Sequence, residues 1–268
     1  MIFNPTVARI TLRATLGRRR ALLFAVPPVI LIVFTLLLKT ARGAARPWPS
    51  HVLGTFGFTV LLPLTALIIG TSVLGAEIDD GSIIHLLATP VRRLSVVLTK
   101  YTVATALTVL FAAVPEAIAA LLSGGGSTPA SQQVDAGPGV GQIVQTIPGV
   151  PVSAGKLALG LFVGAIVGAV IYNAIFVMVS VATTRAIAVG LLYVLVWESL
   201  LSNFVSGARL LSVSHYALGV ANGIVSDPGL NAGLTVGTSV VMGVIVTALA
   251  LTLAVNLLRG FTIKGDPA

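Results

Sequence analysis

Six long, strongly apolar stretches fill most of this chain and restrict it to one class of fold. Four of them contain no Asp, Glu, Lys or Arg and lie between Arg20 and Lys39, His51 and Glu77, Lys156 and Arg185, and Asp227 and Arg259. The other two carry a single acid each and run from Tyr101 to Leu122 and from Ala186 to Phe204. A helix needs about 20 apolar residues to cross the hydrocarbon core of a bilayer. The pattern therefore predicts an all-α, polytopic membrane protein with six transmembrane helices.

The composition leaves little chain for anything outside this bundle. Only 9% of the residues are charged, against about 25% in soluble domains, so we expect a single transmembrane domain over 1–268. The formal net charge is +8, and basic residues near a membrane are attracted to anionic lipid headgroups. We therefore expect membrane lipid, and no nucleic acid, as the partner of the basic cluster that precedes the first apolar stretch, which is Arg9, Arg13, Arg18, Arg19 and Arg20.

The predicted spans have approximate bounds of 21–38, 52–75, 101–122, 157–181, 186–205 and 233–257. The first apolar stretch is longer than the 7–15 residues of a signal-peptide core, so we expect it to be a retained helix. An even number of crossings places both termini on one side of the membrane. Lys and Arg are more frequent in the segments on that side, and the positive-inside rule then makes the termini cytoplasmic.

Three segments outside the spans have their own predictions. In 1–20, Phe3, Val7, Ile10 and Ala14 share one helix face, which favours an amphipathic helix on the cytoplasmic membrane surface over a solvated basic tail. Segment 123–155 is rich in Gly and Pro, which break helices, and is predicted to be an outer loop. Segment 207–231 is apolar but interrupted, which predicts short re-entrant or interfacial helices on the outer side.

The cytoplasmic segment 75–93, between the second and third spans, has the most specific sequence. Asp80 or Ser82 is suited to capping a short helix, and Pro90 ends that helix at Thr89 because it excludes the helical conformation there. A short, rigid helix with a mixed apolar and charged surface is suited to docking on a soluble partner. The alternatives are an ordinary charged loop and a divalent-cation site at Glu77, Asp79 and Asp80, which is less favoured because no second ligand group lies nearby. His85 is interpreted as a contact residue, so no metal site is predicted.

The order of residues in and after this segment resembles that of the ABC-2-type permeases, the membrane subunits of many bacterial ATP-binding-cassette exporters. The positions that carry the resemblance are Glu77, Gly81, Ser82, Leu86, Leu87, Thr89, Pro90, Val91, Arg93 and Lys100. The resemblance implies that 75–93 holds a coupling helix that docks on an ATPase. The coupling residues it implies are Glu77, Asp79, Asp80, Gly81, Ser82, His85, Leu86, Leu87, Thr89, Pro90, Arg92 and Arg93.

The same resemblance implies partners, direction and location. Two permease chains, identical or different, would assemble with two ATPase chains in the bacterial cytoplasmic membrane, and transport would be outward. The chain itself has no nucleotide-binding motif, because the nearest approach, from Gly149 to Leu157, has the wrong spacing and lacks the hydroxyl that binds magnesium. We therefore expect a transport subunit rather than an enzyme, with no cofactor of its own and with ATP and magnesium on the partner ATPase.

Two acids fall inside predicted spans, where charge is costly and commonly functional. Counting from the inner ends of their helices places Glu116 and Glu198 toward the outer side. They are either hydrated interfacial acids or part of an outer gate in which Glu198 pairs with Arg209. In the fourth span, a small-xxx-small repeat predicts close helix packing; its members are Gly160, Gly164 and Gly168.

The predicted function is thus an ABC permease subunit. The alternative is an ion-coupled secondary transporter, which would need internal repeats and polar sites at the bilayer midplane; neither is evident in the sequence. An intramembrane enzyme is less favoured still, because His51, His85 and His215 all fall outside the predicted spans. The substrate stays open.

Overall fold

The computed structural model describes residues 5–42, 48–79, 93–126, 130–135, 142–147, 151–201, 206–230 and 233–260. Within these ranges five helices are long and apolar enough to cross a membrane, which confirms a multi-pass helical protein. Their apolar parts are Phe24–Ala41, Trp48–Gly75, Leu94–Ser123, Ala154–Ala182 and Val236–Leu258.

The helices are numbered here in chain order. Single helices are α1 (Pro5–Thr15), α2 (Arg18–Arg42), α5 (Ala154–Ala182), α7 (Val213–Val225) and α8 (Val236–Gly260). The other three helices each contain a π-helical stretch. Helix α3 runs from Trp48–Val52 through the π-helical Leu53–Leu61 to Leu62–Asp79, and α4 runs from Arg93–Thr108 through the π-helical Val109–Ala113 to Val114–Ser123. Helix α6 begins as Ala186–Leu192 and ends in the π-helical Tyr193–Leu201. Short 3-10 helices, Ser206–Leu211 and Pro228–Leu230, flank α7.

The described residues do not confirm the predicted count of six spans. The fifth predicted span, 186–205, corresponds to α6, whose apolar part, Ala186–Glu198, is shorter than the other five. Residues 202–205 lie outside the described part of the chain. A crossing by α6 therefore remains a prediction.

Prolines account for two of the three π-helical stretches. Pro63 and Pro115 each come two residues after the end of such a stretch. A proline lacks an N–H and collides with the carbonyl four residues earlier, and widening the preceding turns relieves that collision. The amide N–H of Leu62 bonds to the Gly57 carbonyl, and that of Val114 to the Val109 carbonyl, each five residues back. No proline lies near the third stretch, in α6.

The glycine repeat of α5 packs closely against α7. Along α5 from Gly160 to Gly168 the neighbours on α7 run in reverse order, from Val225 through Ala221 to Ala217. The two helices are therefore antiparallel, and α7 begins beside the middle of α5. The absence of side chains on the glycines lets the backbones approach closely.

The N-terminal helix divides its apolar residues between two surroundings. Val7 is buried together with Thr11 and Thr15, and α1 contacts α3 and α4. Ile10 and Ala14, predicted to share the face of Val7, are exposed. Threonine is tolerated on the buried side because Thr15 donates its hydroxyl to the Thr11 carbonyl at 2.7 Å. The exposed residues are free to contact lipid.

The predicted outer loop, 123–155, contains regular structure that its composition did not indicate. Strands β1 (Ala130–Asp135) and β2 (Gln142–Ile147) form an antiparallel hairpin. Below it, Gly126 bridges Val152, and Gly125 adopts a φ of 76° against the Val152 carbonyl. Glycine is suited to this place because the left-handed conformation costs it nothing. The strands are largely polar, so they lack the apolar alternation that marks a half-buried strand.

Candidate functional site

The segment predicted to couple with an ATPase joins the ends of α3 and α4. Both helices are longer than predicted at this end, since α3 continues to Asp79 and α4 begins at Arg93 rather than near 101. The connection between them is therefore 80–92. Glu77, Asp79 and Arg93 lie on the described helix ends, and the other predicted coupling residues lie outside the described part of the chain: Asp80, Gly81, Ser82, His85, Leu86, Leu87, Thr89, Pro90 and Arg92.

The two helices that flank this segment are tied together by a buried lysine. Lys100 was placed by the sequence at the foot of the third span, but the structure places it inside α4 with only 1% of its surface exposed. Its ammonium group donates a hydrogen bond of 2.8 Å to the Val73 carbonyl of α3. An ammonium group lifted out of water needs such acceptors. Displacing one helix end along its axis therefore pulls on the other.

Replacing this lysine should weaken the link between the two helix ends. We expect Lys100→Met, which keeps most of the side-chain volume, to lower the thermal midpoint of the purified chain. The lost charged hydrogen bond corresponds to about 1.5–3 kcal/mol. Differential scanning fluorimetry in detergent measures the shift. Lys156→Met, at the exposed start of α5, is the matched control, and equal midpoints for the two variants would contradict the proposed tie.

A second cluster surrounds Glu198, at the start of α7. The side chain is fully buried and accepts at least five hydrogen bonds from described residues. Two come from the backbone, from the N–H of Val213 at 2.9 Å and of Ser214 at 3.4 Å. Three come from hydroxyl groups, of Tyr193 at 3.0 Å, Ser212 at 2.6 Å and Ser214 at 2.7 Å.

This arrangement makes Glu198 the anchor of α7. The first N–H groups of a helix have no partner within the helix, and the helix dipole favours a negative charge there. The Ser212 side chain makes no capping bond to the α7 backbone, and the carboxylate from α6 takes that place. Glu198 and Tyr193 both belong to the π-helical stretch Tyr193–Leu201. The Tyr193 hydroxyl donates its hydrogen bond to the Glu198 carboxylate within this stretch.

Neighbouring residues extend this cluster toward the segment before α7. His215 Nδ1 lies 3.0 Å from the Ser212 hydroxyl, and Trp197 donates from Nε1 to the Leu211 carbonyl at 3.2 Å. Arg209, predicted to pair with Glu198, lies in the 3-10 helix Ser206–Leu211, and its Nε has no hydrogen-bond partner among the described residues. A gating role for the Glu198–Arg209 pair remains a prediction.

The other acid, Glu116, lies in α4 with 3% of its surface exposed. Its carboxyl group rests against the backbone of Gly57 in α3, so closely that a Cβ at Gly57 would overlap it. No donor among the described residues bonds to its Oε1. Glu116 and Glu198 are thus both buried, but among the described residues only Glu198 is surrounded by donors.

A third contact, which the sequence did not indicate, joins the first turn of α3 to the segment that follows α7. Ser50 donates a hydrogen bond of 2.5 Å to Oδ2 of Asp227, and both side chains are buried. Asp227 also accepts from the Gly229 N–H at 2.9 Å, and its own N–H donates to Oδ1 of Asn222 at 3.1 Å. A Ser preceding a span and an Asp following a helix are each common loop residues, so only their contact identifies them.

The described residues contain no group of three or more His, Asp or Glu side chains that would hold a metal ion. This finding leaves the predicted acidic cluster untested, because the side chains of Glu77, Asp79 and Asp80 are not among those described.

Comparison with known proteins points to one family. Residues 16–138 match the model of a family described as "ABC-2 family transporter protein". No curated protein matches the chain. The matched part includes α2, α3, α4 and the connection 80–92, and therefore all the positions on which the resemblance of segment 75–93 depends.

Proposed function

We propose that the chain is an ABC-2-type permease that forms the translocation path of an exporter and is driven by a separate ATPase. The match of residues 16–138 to the ABC-2 transporter family supports this proposal. Two permease chains and two ATPase chains form the transporter. ATP and magnesium bind to the ATPase chains. Segment 75–93 docks on the ATPase from the cytoplasm, and both termini of the permease lie on that side.

The observation that carries this proposal is the construction of the α3–α4 pair. These two helices end together at the connection 80–92, and Lys100 ties α4 to the Val73 carbonyl of α3 just above it. A push on the connection would therefore displace both helices as one unit. That displacement is what a coupling segment needs in order to transmit the closure of the ATPase into the membrane.

At the opposite end of α3, contacts with the region of α7 could open or close the transport path on the outer side. In the proposed topology α7 enters the membrane from the outer side, and Glu198 holds its deeper end. The Ser50–Asp227 contact holds the shallower end to α3. Movement of α3 would then reach α7 through this contact, which gives the ATPase a path to the outer side.

Substitutions at the helix ends test the coupling. We expect Glu77→Ala and Arg93→Ala to reduce transport about 5–150-fold, the range of a coupling free energy of about 1–3 kcal/mol. ATP hydrolysis by the purified complex should continue. The measurement compares hydrolysis and substrate movement in the same proteoliposomes, with candidate substrates taken from apolar classes.

Arg185→Ala is the matched control, because Arg185 is an exposed basic residue at the α5–α6 turn, on the same predicted side. It should leave both activities unchanged. If the chain purified from its native membrane brings no ATPase with it, the proposed function is wrong. If the ATPase copurifies but both variants transport normally, only the assigned coupling residues are wrong.

A further inference from the structure

Glu116 borders a small cavity in the middle of three helices. The cavity has a volume of about 10 Å³ and lies between α2, α3 and α4. That volume corresponds to about one water molecule. Its lining is otherwise almost entirely apolar and includes Pro27, Pro28 and Pro115, which have no N–H to donate.

No described residue around the cavity compensates a negative charge. Among the described residues, no Lys, Arg or His lines the cavity, and none donates to Oε1. The Thr65 hydroxyl, which also lines the cavity, donates to the Leu61 carbonyl at 2.7 Å. An isolated carboxylate in an apolar interior carries a penalty of several kcal/mol, so a buried group of this kind needs a positive partner or a proton.

Basic and phenolic groups on the helices packed nearby are engaged elsewhere. Lys39 of α2 donates to the Leu122 carbonyl at 2.7 Å, and Lys100 of α4 donates to the Val73 carbonyl. Tyr101 of α4 donates to the Val170 carbonyl at 3.0 Å. Of the other ionisable side chains that the structure describes on these helices and on α5, none lines the cavity; they are His51, Lys156 and Tyr172.

We propose that Glu116 is a proton-binding site, in which the carboxyl group holds a proton and shares the cavity with one water molecule. A proton fits this place better than a metal ion. Magnesium and calcium require six or more oxygen ligands, whereas the described residues that line the cavity offer only the side-chain oxygens of Glu116 and Thr65. A protonated carboxyl needs a single acceptor, and one water molecule supplies it.

The position gives the proton a route. Glu116 lies seven residues before the end of the apolar stretch Leu94–Ser123, which is about 10 Å at 1.5 Å per residue. A small separation of α2 from α3 and α4 would connect the cavity with that end. Protonation of Glu116 is therefore linked to the packing of α3 and α4.

Infrared spectroscopy of the full chain in lipid nanodiscs tests the proposal without any ATPase, so its result is separate from that of the proposed function. At pH 7 we expect one neutral carboxyl C=O band per chain. The band should shift in D₂O, should be absent from Glu116→Gln, and should not depend on replacing choline chloride by sodium chloride. Glu198→Gln should retain it, since the band belongs to Glu116.

Two spectroscopic outcomes would overturn the proposal. A wild-type spectrum equal to that of Glu116→Gln would mean that the carboxylate is ionised. A band that disappears in sodium chloride would assign the site to a metal cation. Stability is the second readout: a neutral amide should replace a neutral carboxyl with little change in thermal midpoint, so a Glu116→Gln chain that fails to fold would also contradict the proposal.

Discussion

Glu198→Ala is expected to remove most of the stability of the folded chain. The substitution leaves two backbone N–H groups and three hydroxyl groups without their acceptor, inside the protein. Hydrogen bonds to a charged group are each worth about 1.5–3 kcal/mol, and loss of one partner of a buried charged network costs about 3–5 kcal/mol. Folded proteins have about 5–15 kcal/mol in total. We expect the start of α7 to detach from α6.

The measurement is the fraction of monodisperse protein that survives heating in detergent. Glu198→Gln keeps one acceptor oxygen and should lie between Glu198→Ala and the wild type. Glu116→Gln is the matched control, since Glu116 is also buried but has no donor at Oε1. If Glu198→Gln left both assembly and export unchanged, neither the anchoring role nor the predicted gate would stand.

Gly164→Ala is expected to have a comparable effect through packing alone. A Cβ at position 164 would lie 2.6 Å from the Ala217 carbonyl oxygen and 2.9 Å from the Ala221 Cβ. Because the first of these is backbone, no side chain can rotate away, and α7 as a whole has to move off α5. Overpacking typically costs about 1–3 kcal/mol, and we expect the upper end of this range.

Hydrogen exchange localises this effect. The amides of α7 should exchange faster in Gly164→Ala, while those of α1 should be unchanged. Gly155→Ala is the control within the same helix, because a Cβ there meets nothing within 4 Å. It should be neutral or slightly stabilising, since alanine is favoured over glycine in a helix by about 1 kcal/mol. Equal exchange in the two variants would show that α7 does not depend on the close approach.

The helices could be predicted from the sequence, but their ends could be predicted less well. Lipid requires long apolar helices, so the spans were recognisable from uncharged runs. The ends of the helices were harder to predict. The start of α4 was predicted near 101 because Lys100 was taken as a marker of the membrane surface, but α4 begins at Arg93. A lysine usually has that meaning, but here its ammonium finds a carbonyl acceptor on α3 and the helix continues past it.

The two acids illustrate what sequence cannot supply. Both were recognised as unusual because they interrupt apolar runs, and both have nearly the same burial. Their difference lies in residues that are remote in sequence. Glu198 meets Ser212 and Ser214, while Glu116 meets Gly57. Neither a serine nor a glycine carries a signal of its own, so only the packing of the helices assigns one acid to anchoring and leaves the other without donors.

The sequence by itself determined that this protein lies in a membrane as a bundle of apolar helices, and its motif at 75–93 pointed to the ABC-2 family. It could do so because insertion into lipid depends on local apolar length, and a motif depends on local order. Only the tertiary structure decided which helix α7 packs on, where the Lys100 ammonium is bound, and which buried acid is solvated by donors. Those contacts join residues far apart along the chain, and their free energy depends on distances that no local pattern contains.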